Sequence, residues 1–292
     1  MSKAIMLASY NLFYPLTTIL YSLRKYASED CQLIIFQFEM STEQKSLLKK
    51  AFNAEVIEYK PFDFDIPQTF MAFARFEAFK LIKTFDQILY LDCDVLIRKN
   101  IDDVFKYDQP LCATYGEPNF WMNFRGKYPD YKYKSKFDDI FFNSGVFLFN
   151  SSLRSYADKI YSWSYETLKT GLSRGDQGIL NLIPYVFDIK ITDFTAYYNS
   201  HYYLIEDKKC QDPAIVHYSG TQIKPYFKES VIEKKDKLHF YEEYAENILK
   251  TMHYLEGFGL ESDWDNFVYA MPESSKNYSL LEELEKDKLN LQ

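Results

Sequence analysis

The stretch Ile88-Leu89-Tyr90-Leu91-Asp92-Cys93-Asp94 constrains this chain more than any other, because an uncharged apolar run stops on two aspartates one residue apart. Four consecutive apolar or aromatic residues predict a strand covered on both faces, as in the parallel sheets of α/β proteins, whose ligands collect outside the carboxyl ends of the strands. Side chains alternate along extended chain, so Asp92 and Asp94 project to one side, and two converging carboxylates suit a divalent cation that also holds a diphosphate. The alternative is a polar turn held by local side-chain hydrogen bonds. Asp-x-Asp recurs at Asp63-Phe64-Asp65 and Asp263-Trp264-Asp265, but near Pro67 and beside Glu261-Ser262, in stretches that read as loop or exposed helix.

The segments before this strand read as strands and helices in turn. Ala4–Ala8 reads as a strand, and from Pro15 onward Leu16, Ile19, Leu20 and Leu23 fall at helical spacing. Residues 4–23 carry no formal charge and are long enough to cross a bilayer, but Ser9, Asn11, Pro15, Thr17, Thr18, Ser22 and three tyrosines make the stretch too polar for hydrocarbon. Gln32–Phe36 predicts a second strand, Ser41 with Gln44 a capping box opening a helix to Phe52, and Ala54–Tyr59 a third strand. Thr69–Phe85, containing Arg75, predicts a largely buried helix feeding the central strand. The resulting β-α-β-α-β-α-β order implies a mostly parallel sheet with helices on both faces.

Beyond Asp94 the chain predicts a continued extended segment at Val95–Arg98, a helical turn at Ile101–Phe105 and a strand at Leu111–Thr114. Gly116–Asp139 then interleaves Arg125, Lys127, Lys132, Lys134 and Lys136 with Tyr128, Tyr131 and Tyr133. A long irregular connection of this kind reads as a lid or binding loop, or as a solvated loop. Phe141–Asn150 is a strand interrupted by Asn143-Ser144-Gly145, where a ligand can approach the backbone closely. Ser151 and Ser152 offer caps for a helix to about Gly171, and Gly175–Gly178 opens another over Ile179–Ile183, stopped by Pro184. The Asp176-Gln177 pair there serves either as a cap or as site chemistry. Ile215–Gly220 reads as a strand leading into a turn, and residues from about Val231 onward as charged helix.

A net charge of −8 argues against nucleic acid as a partner, which needs a basic field to neutralise phosphates. With 292 residues and 47% hydrophobic content the chain can bury a large core. Cys31, Cys93, Cys112 and Cys210 form no C-x-x-C pair, which favours reduced thiols and a cytoplasmic setting.

Taken in order, Arg75, Leu89-Tyr90-Leu91-Asp92-Cys93-Asp94, Phe142-Asn143-Ser144-Gly145-Val146, Asp176-Gln177 with Asn181, and His217-Tyr218-Ser219-Gly220 before Lys224-Pro225-Tyr226 resemble glycosyltransferase family 8. This is the retaining, metal-dependent group that includes glycogenin and bacterial lipopolysaccharide galactosyl- and glucosyltransferases. The resemblance spans about Ala4 to Tyr226. It implies a GT-A fold, a nucleotide-sugar donor that is usually a UDP-hexose, and Mn²⁺ as the usual ion with Mg²⁺ as the alternative. Carried over, Asp92, Asp94 and His217 are the metal ligands, and Asp176 and Gln177 the catalytic pair beside the transferred sugar. Asn11, Arg75, Asn143, Gly220 and Lys224 are donor-binding, with Lys224 neutralising the leaving diphosphate. For Arg75 the structural alternative is a buried ion pair with a metal-site carboxylate. The implied acceptor is a glycan or glycolipid, such as a bacterial surface polysaccharide or lipopolysaccharide, reached in the cytoplasm with peripheral contact at the inner face of the membrane. Residues 1–226 then form the catalytic domain and 227–292 a C-terminal helical region.

The chain departs from the family pattern at Ser9-Tyr10-Asn11, where an acidic pair often precedes the asparagine. Three residues instead of two separate Gly220 from Lys224, and Tyr226 stands where tryptophan is usual. Three other functions compete. A sugar nucleotidyltransferase needs a glycine-rich phosphate loop after the first strand, where Ala8-Ser9-Tyr10-Asn11-Leu12 has no glycine. A phosphatase also places Asp-x-Asp after an apolar strand, but Val95-Leu96 replaces its small turn and Leu180 stands where a second downstream aspartate is needed. A catalytically weak nucleotide-sugar-binding protein would keep the same ligands.

Overall fold

Strand β1 (Lys3–Tyr10) is followed by helix α1 (Phe13–Tyr26), β2 (Cys31–Phe38), α2 (Thr42–Phe52) and β3 (Glu55–Glu58), the alternation that the hydrophobic pattern predicts. The computed structural model describes residues 1–10, 12–28, 30–60, 73–116, 141–169, 176–201, 210, 212–219 and 238–260. The capping box forms as expected: the Ser41 hydroxyl accepts from the Gln44 N–H, and the Gln44 side chain accepts from the Ser41 N–H. No helix among the described residues is long and apolar enough to cross a membrane.

Over the described part of 69–85 the expected helix is a 3-10 turn (Ala74–Glu77) running into a short helix, α3 (Ala78–Leu81). It leads into β4 (Gln87–Leu91), every residue of which is buried. Val95–Ile97 is extended as β5, but it leaves the main sheet. Next come β6 (Leu111–Tyr115), β7 (Phe142–Asn150), α4 (Ala157–Lys169), α5 (Asp176–Phe187), β8 (Ile191–Asp193), β9 (Ser200–His201), β10 (Ile215–His217) and α6 (Leu238–Glu256).

The main sheet has seven strands in the order β3-β2-β1-β4-β7-β6-β8. β1–β2, β2–β3, β1–β4 and β6–β8 run parallel, and β7 runs antiparallel to both neighbours. Both faces are covered, so alternate residues of one strand enter different cores. Ile5, Leu7, Leu89 and Leu91 pack with α1 and α2, whereas Ala4, Met6, Ile88 and Tyr90 pack with Phe76, Phe79, Ile160 and Ile179. Beyond the carboxyl end of β4 a second sheet, β5-β10-β9, pairs β10 antiparallel to β5 and parallel to β9. This small sheet brings His217 back over the end of β4.

Helix α6 is tied to the small sheet. Arg98 pairs with Glu243 at 2.7 Å, the Tyr218 hydroxyl donates to the Phe240 carbonyl at 2.7 Å, and Leu255 is buried in the core that α1 lines. The helical character expected after Val231 is therefore present over Leu238–Glu256, packed on the main body. Cys31, Cys93 and Cys112 are buried free thiols. Burial pushes Cys31 up to about 11 and Cys112 up to about 12, which keeps both protonated and unreactive.

Two local expectations are corrected. Pro184 does not stop its helix: α5 continues to Phe187. An interior proline costs about 3 kcal/mol or more, but Ile179, Leu180, Leu182 and Ile183 are buried before it and Phe187 meets Trp163 edge-on after it. At roughly 1.5–3 kcal/mol for each buried aliphatic side chain, packing outweighs the lost bond. Ser151 and Ser152 do not cap a long helix; the Ser151 N–H is committed to the Asp86 carbonyl, a 3-10 turn spans Ser151–Leu153, and the helix begins at Ala157. Asn143-Ser144-Gly145 does not end its strand, which runs from Phe142 to Asn150, but it does interrupt the ladder to β6 as expected: Tyr115 pairs with Phe142 and Ala113 with Phe147, a register shift across the segment.

Candidate active site

β4 ends at Leu91, and the Asp92 N–H donates to the Gly145 carbonyl of β7 at 2.8 Å, which locks the strand end in place. Asp92 lies on the same side as Tyr90, two residues earlier, and its Oδ1 accepts from the Tyr90 hydroxyl at 2.8 Å and from Arg75 Nη2 at 3.0 Å. Cys93 points the other way, its thiol toward the Ala8 carbonyl. Asp92 Oδ2 and Asp94 Oδ1 then face His217 Nε2 at 4.0 and 3.3 Å.

One ligand atom from each of Asp92, Asp94 and His217 lies within 4.8 Å of the others. Metal–ligand bonds of roughly 2.0–2.6 Å place two ligands of one ion at most about twice that far apart, so the three atoms fit a single cation. The donor set of two carboxylate oxygens and one imidazole nitrogen suits a divalent ion of intermediate hardness. Burial pushes His217 down to about 4, with Asp92 opposing and Arg75 adding to the shift. The ring is therefore neutral near pH 7, with a lone pair available.

Gly145 is the reason His217 can stand there. A methyl group at this position would meet His217 Cε1 at 2.1 Å, His217 Nε2 at 2.7 Å and Asp92 Oδ2 at 2.9 Å. The sequence pattern at Asn143-Ser144-Gly145 predicts a close approach to backbone, and the approaching group is a side chain of the protein itself. Gly145→Ala is expected to displace the His217 ring and to lower stability by about 1–3 kcal/mol, as overpacking of a filled core does. Chemical denaturation measures the loss; an unchanged midpoint with unshifted His217 imidazole resonances would show that the ring has room.

Arg75 holds the other side of the site. It is 6% exposed, and its guanidinium pairs with Asp92 at 3.0 Å and Asp176 at 2.5 Å while donating to the Ser144 carbonyl at 2.8 Å. It also lies over the Tyr90 ring, 5.0 Å from the centroid, and Tyr90 stacks in turn on Phe147. The buried ion pair is thus the role that these contacts display. Burial works against the charge of Arg75, but Asp176 and Asp92 together hold its pKa above the ordinary value. Burial raises the Asp176 carboxyl above the usual aspartate range; Arg75 opposes this and Asp92 adds to it.

Asp176 and Gln177 open α5 but are not simple caps. Both turn to β7, where the Ser144 hydroxyl lies 3.3 Å from Asp176 Oδ2 and 3.1 Å from Gln177 Oε1. Asn143 and Gln177 meet at 3.4 Å. Asn181 is structural: its side chain bonds the Phe142 N–H and carbonyl, each at 2.8 Å. The structure therefore brings together Asp92, Asp94, His217, Arg75, Asn143, Asp176 and Gln177. Asn11, Gly220 and Lys224 lie outside the described residues, as do residues 117–139 of the basic and aromatic loop. The end of that connection at Gly116 is pinned by a bond from its N–H to the Phe141 carbonyl at 2.7 Å.

Sequence reasoning passes over four participants. Tyr90 carries a signal, since it lies two residues before Asp92 and shares its side of the strand; Ser144 carries a weaker one, inside the Asn-Ser-Gly segment. Asn199 and His201 carry none. Asn199 is fully buried and accepts or donates at His217 Nδ1, 3.0 Å away, while His201 Nδ1 lies 2.8 Å from the Ser219 hydroxyl.

The family model described as glycosyl transferase family 8 matches residues 6–230. Glycosyltransferase GlyA of Streptococcus pneumoniae serotype 4 is 28% identical over 148 residues, 46% of this chain. The chain spans only 18% of the length of that curated relative. Among solved structures, the galactosyltransferase LgtC, bound to donor and acceptor sugar analogues, superposes with a TM-score of 0.65 at 18% identity, covering 90% of this chain and 99% of LgtC. The bifunctional glycosyltransferase WbbM superposes at 0.66 with 15% identity over 88% of this chain and 51% of its own. At these identities the likeness establishes a shared fold, a mixed α/β body around a large, mostly parallel sheet.

Proposed function

The chain belongs to glycosyl transferase family 8, and on that premise we propose that it moves a hexose from a UDP-sugar donor to a glycan acceptor, with Mn²⁺ held by Asp92, Asp94 and His217. The observation that carries the reading is the convergence of those three ligand atoms beyond the end of β4, beside the Arg75–Asp176 pair and Gln177. An ion bound there supplies positive charge against the diphosphate that leaves and so stabilises the developing anion. Mg²⁺ is the alternative ion.

The residues divide the remaining work. Asp94 and Asp92 Oδ2 turn toward His217, whereas Asp92 Oδ1 is anchored by Tyr90 and Arg75. Asn143, Asp176 and Gln177 hold the sugar hydroxyls; Asn11, Gly220 and Lys224 act on the donor, Lys224 as a counter-charge to the leaving diphosphate. Asp176 pairs with Arg75 at 2.5 Å, which makes it a poor nucleophile, and Gln177 is a weaker one still. Those two facts favour attack by the acceptor hydroxyl on the face the leaving group vacates. The bond from the anomeric carbon to the diphosphate oxygen breaks, the bond to the acceptor oxygen forms, and the acceptor proton passes to the diphosphate. The anomeric configuration is then retained.

On this reading residues 1–226 are the catalytic unit, and residues 227–292 a helical region whose α6 braces the small sheet carrying His217. The acceptor is a bacterial surface polysaccharide or lipopolysaccharide, met in the cytoplasm at the inner face of the membrane. Incubation with a panel of UDP-hexoses, Mn²⁺ and oligosaccharide acceptors, followed by NMR of the first-formed product, is expected to show retention. An inverted product would overturn the mechanism. Tight donor binding with no transfer to any acceptor in the panel would favour a nucleotide-sugar-binding protein.

A further inference from the structure

We infer that Asn199 is a positioning residue: it accepts the Nδ1–H of His217, fixes the ring in the Nδ1-protonated tautomer, and leaves the Nε2 lone pair aimed at Asp92 and Asp94. The inference follows from hydrogen-bond bookkeeping anchored on two backbone N–H groups, whose polarity is not in question. The Gly145 N–H donates to the Asn143 side chain at 2.8 Å, so the Asn143 atom on that side is oxygen. The Ser144 N–H donates to Gln177 at 3.3 Å, so the Gln177 atom is oxygen and the Asn143 atom facing it at 3.4 Å is nitrogen. Both anchors give Asn143 the same orientation.

The Asn143 oxygen also meets the Asn199 side chain at 3.2 Å, which requires a donor there and places the Asn199 amide nitrogen toward Asn143. Its oxygen then lies 3.0 Å from His217 Nδ1. An amide oxygen can only accept, so Nδ1 must carry the proton. Asn199 is fully buried and His217 is 2% exposed, so water does not compete with Asn199 for Nδ1; at Nε2 the facing group is Asp94 Oδ1 at 3.3 Å. The pairing of β9 with β10, Val216 opposite Ser200 and His217 opposite His201, delivers Asn199 to this position although it lies eighteen residues from His217 in sequence.

Groups that donate or accept at the far nitrogen of a metal-bound imidazole orient the ring and commonly contribute 10–100-fold in metal affinity. Here the same amide also joins the metal side of the site to the sugar side, because Asn143 is shared between Asn199 and Gln177. Asn199 therefore links how His217 is held to how Asn143 is presented. This inference rests on the metal reading above for its consequence but not for the tautomer, which belongs to the ion-free protein.

The test uses histidine-labelled protein, whose four histidines can be assigned by single substitution. In the ion-free parent, long-range ¹H–¹⁵N correlations are expected to show His217 protonated at Nδ1 and bare at Nε2; protonation at Nε2 would overturn the inference with no variant needed. Asn199→Leu, close in shape but unable to accept, is expected to lose the single tautomer and to weaken binding of Mn²⁺ alone, followed by electron paramagnetic resonance, by about 10–100-fold. Asn199→Asp keeps the acceptor and is expected to bind Mn²⁺ close to the parent while perturbing Asn143. Equal weakening in the Asp and Leu variants, or a Leu variant with parental tautomer and affinity, would overturn it. If the Leu variant fails to fold, the parent tautomer and the Asp variant still decide. A parent that binds no Mn²⁺ removes the metal reading and leaves the tautomer result to stand or fall alone.

Discussion

Asp92→Asn/Asp94→Asn is expected to cut sugar transfer at least about 10³-fold and to abolish the dependence of UDP affinity on the divalent ion. The substitution nearly preserves shape while removing two negative charges, so the loss reports charge and ligation rather than packing. A 10³-fold loss corresponds to about 4 kcal/mol of transition-state stabilisation, the size expected on the proposal that an ion held there faces the departing diphosphate. In the parent without the ion, Asp92 and Asp94 would repel the nucleotide; with the ion they attract it indirectly. Titration calorimetry of UDP in Mn²⁺ and in EDTA separates these cases. Equal affinity in both media for the parent, with the double variant unchanged, would remove the metal role altogether.

Arg75→Met is expected to lower the unfolding free energy by about 3–5 kcal/mol, the usual cost of removing one partner of a buried ion pair. Methionine fills much of the stem volume but leaves Asp92 and Asp176 beside each other without their shared cation. Their side chains are 24% and 17% exposed, so water compensates only in part. The pH dependence has a definite sign. The folded-state pKa of Asp176 already lies above its ordinary value because of burial, with Arg75 opposing the shift. Removing Arg75 raises it further. A raised carboxyl pKa contributes stability that is lost as pH rises through the folded value, so the deficit of the variant should be largest near neutrality and narrow as pH falls toward the titration of Asp176. Urea denaturation at several pH values measures this. A deficit that is small, or that widens on acidification, would mean that the pair does not hold the site as its distances indicate.

The fold was legible where local pattern and burial agree. The apolar run before Asp92, the apolar runs of β1 and β2 and the Ser41–Gln44 capping box each report forces acting within a few residues, and each element forms where expected. Pro184 shows the limit of that reading, because a local penalty of about 3 kcal/mol was outweighed by side chains buried against elements far away in sequence. Arg75 was legible as a site residue, with an ion pair to a metal-site carboxylate as its alternative role, while its second partner, Asp176, depended on where α5 came to rest.

From the chain alone come the buried central strand, the paired carboxylates at its end, the parallel layering and the ordered motifs that mark the family. These rest on spacing, alternation and residue chemistry, all properties of the linear sequence. Tertiary structure alone decided that Gly145 must lack a side chain because His217 lies over it, that Ser144 binds Arg75 and Gln177, and that Asn199 reaches Nδ1 of His217. Contacts of this kind join residues brought together by strand pairing across the two sheets. Their energies exist only once the chain has closed those distances, so no local pattern encodes them.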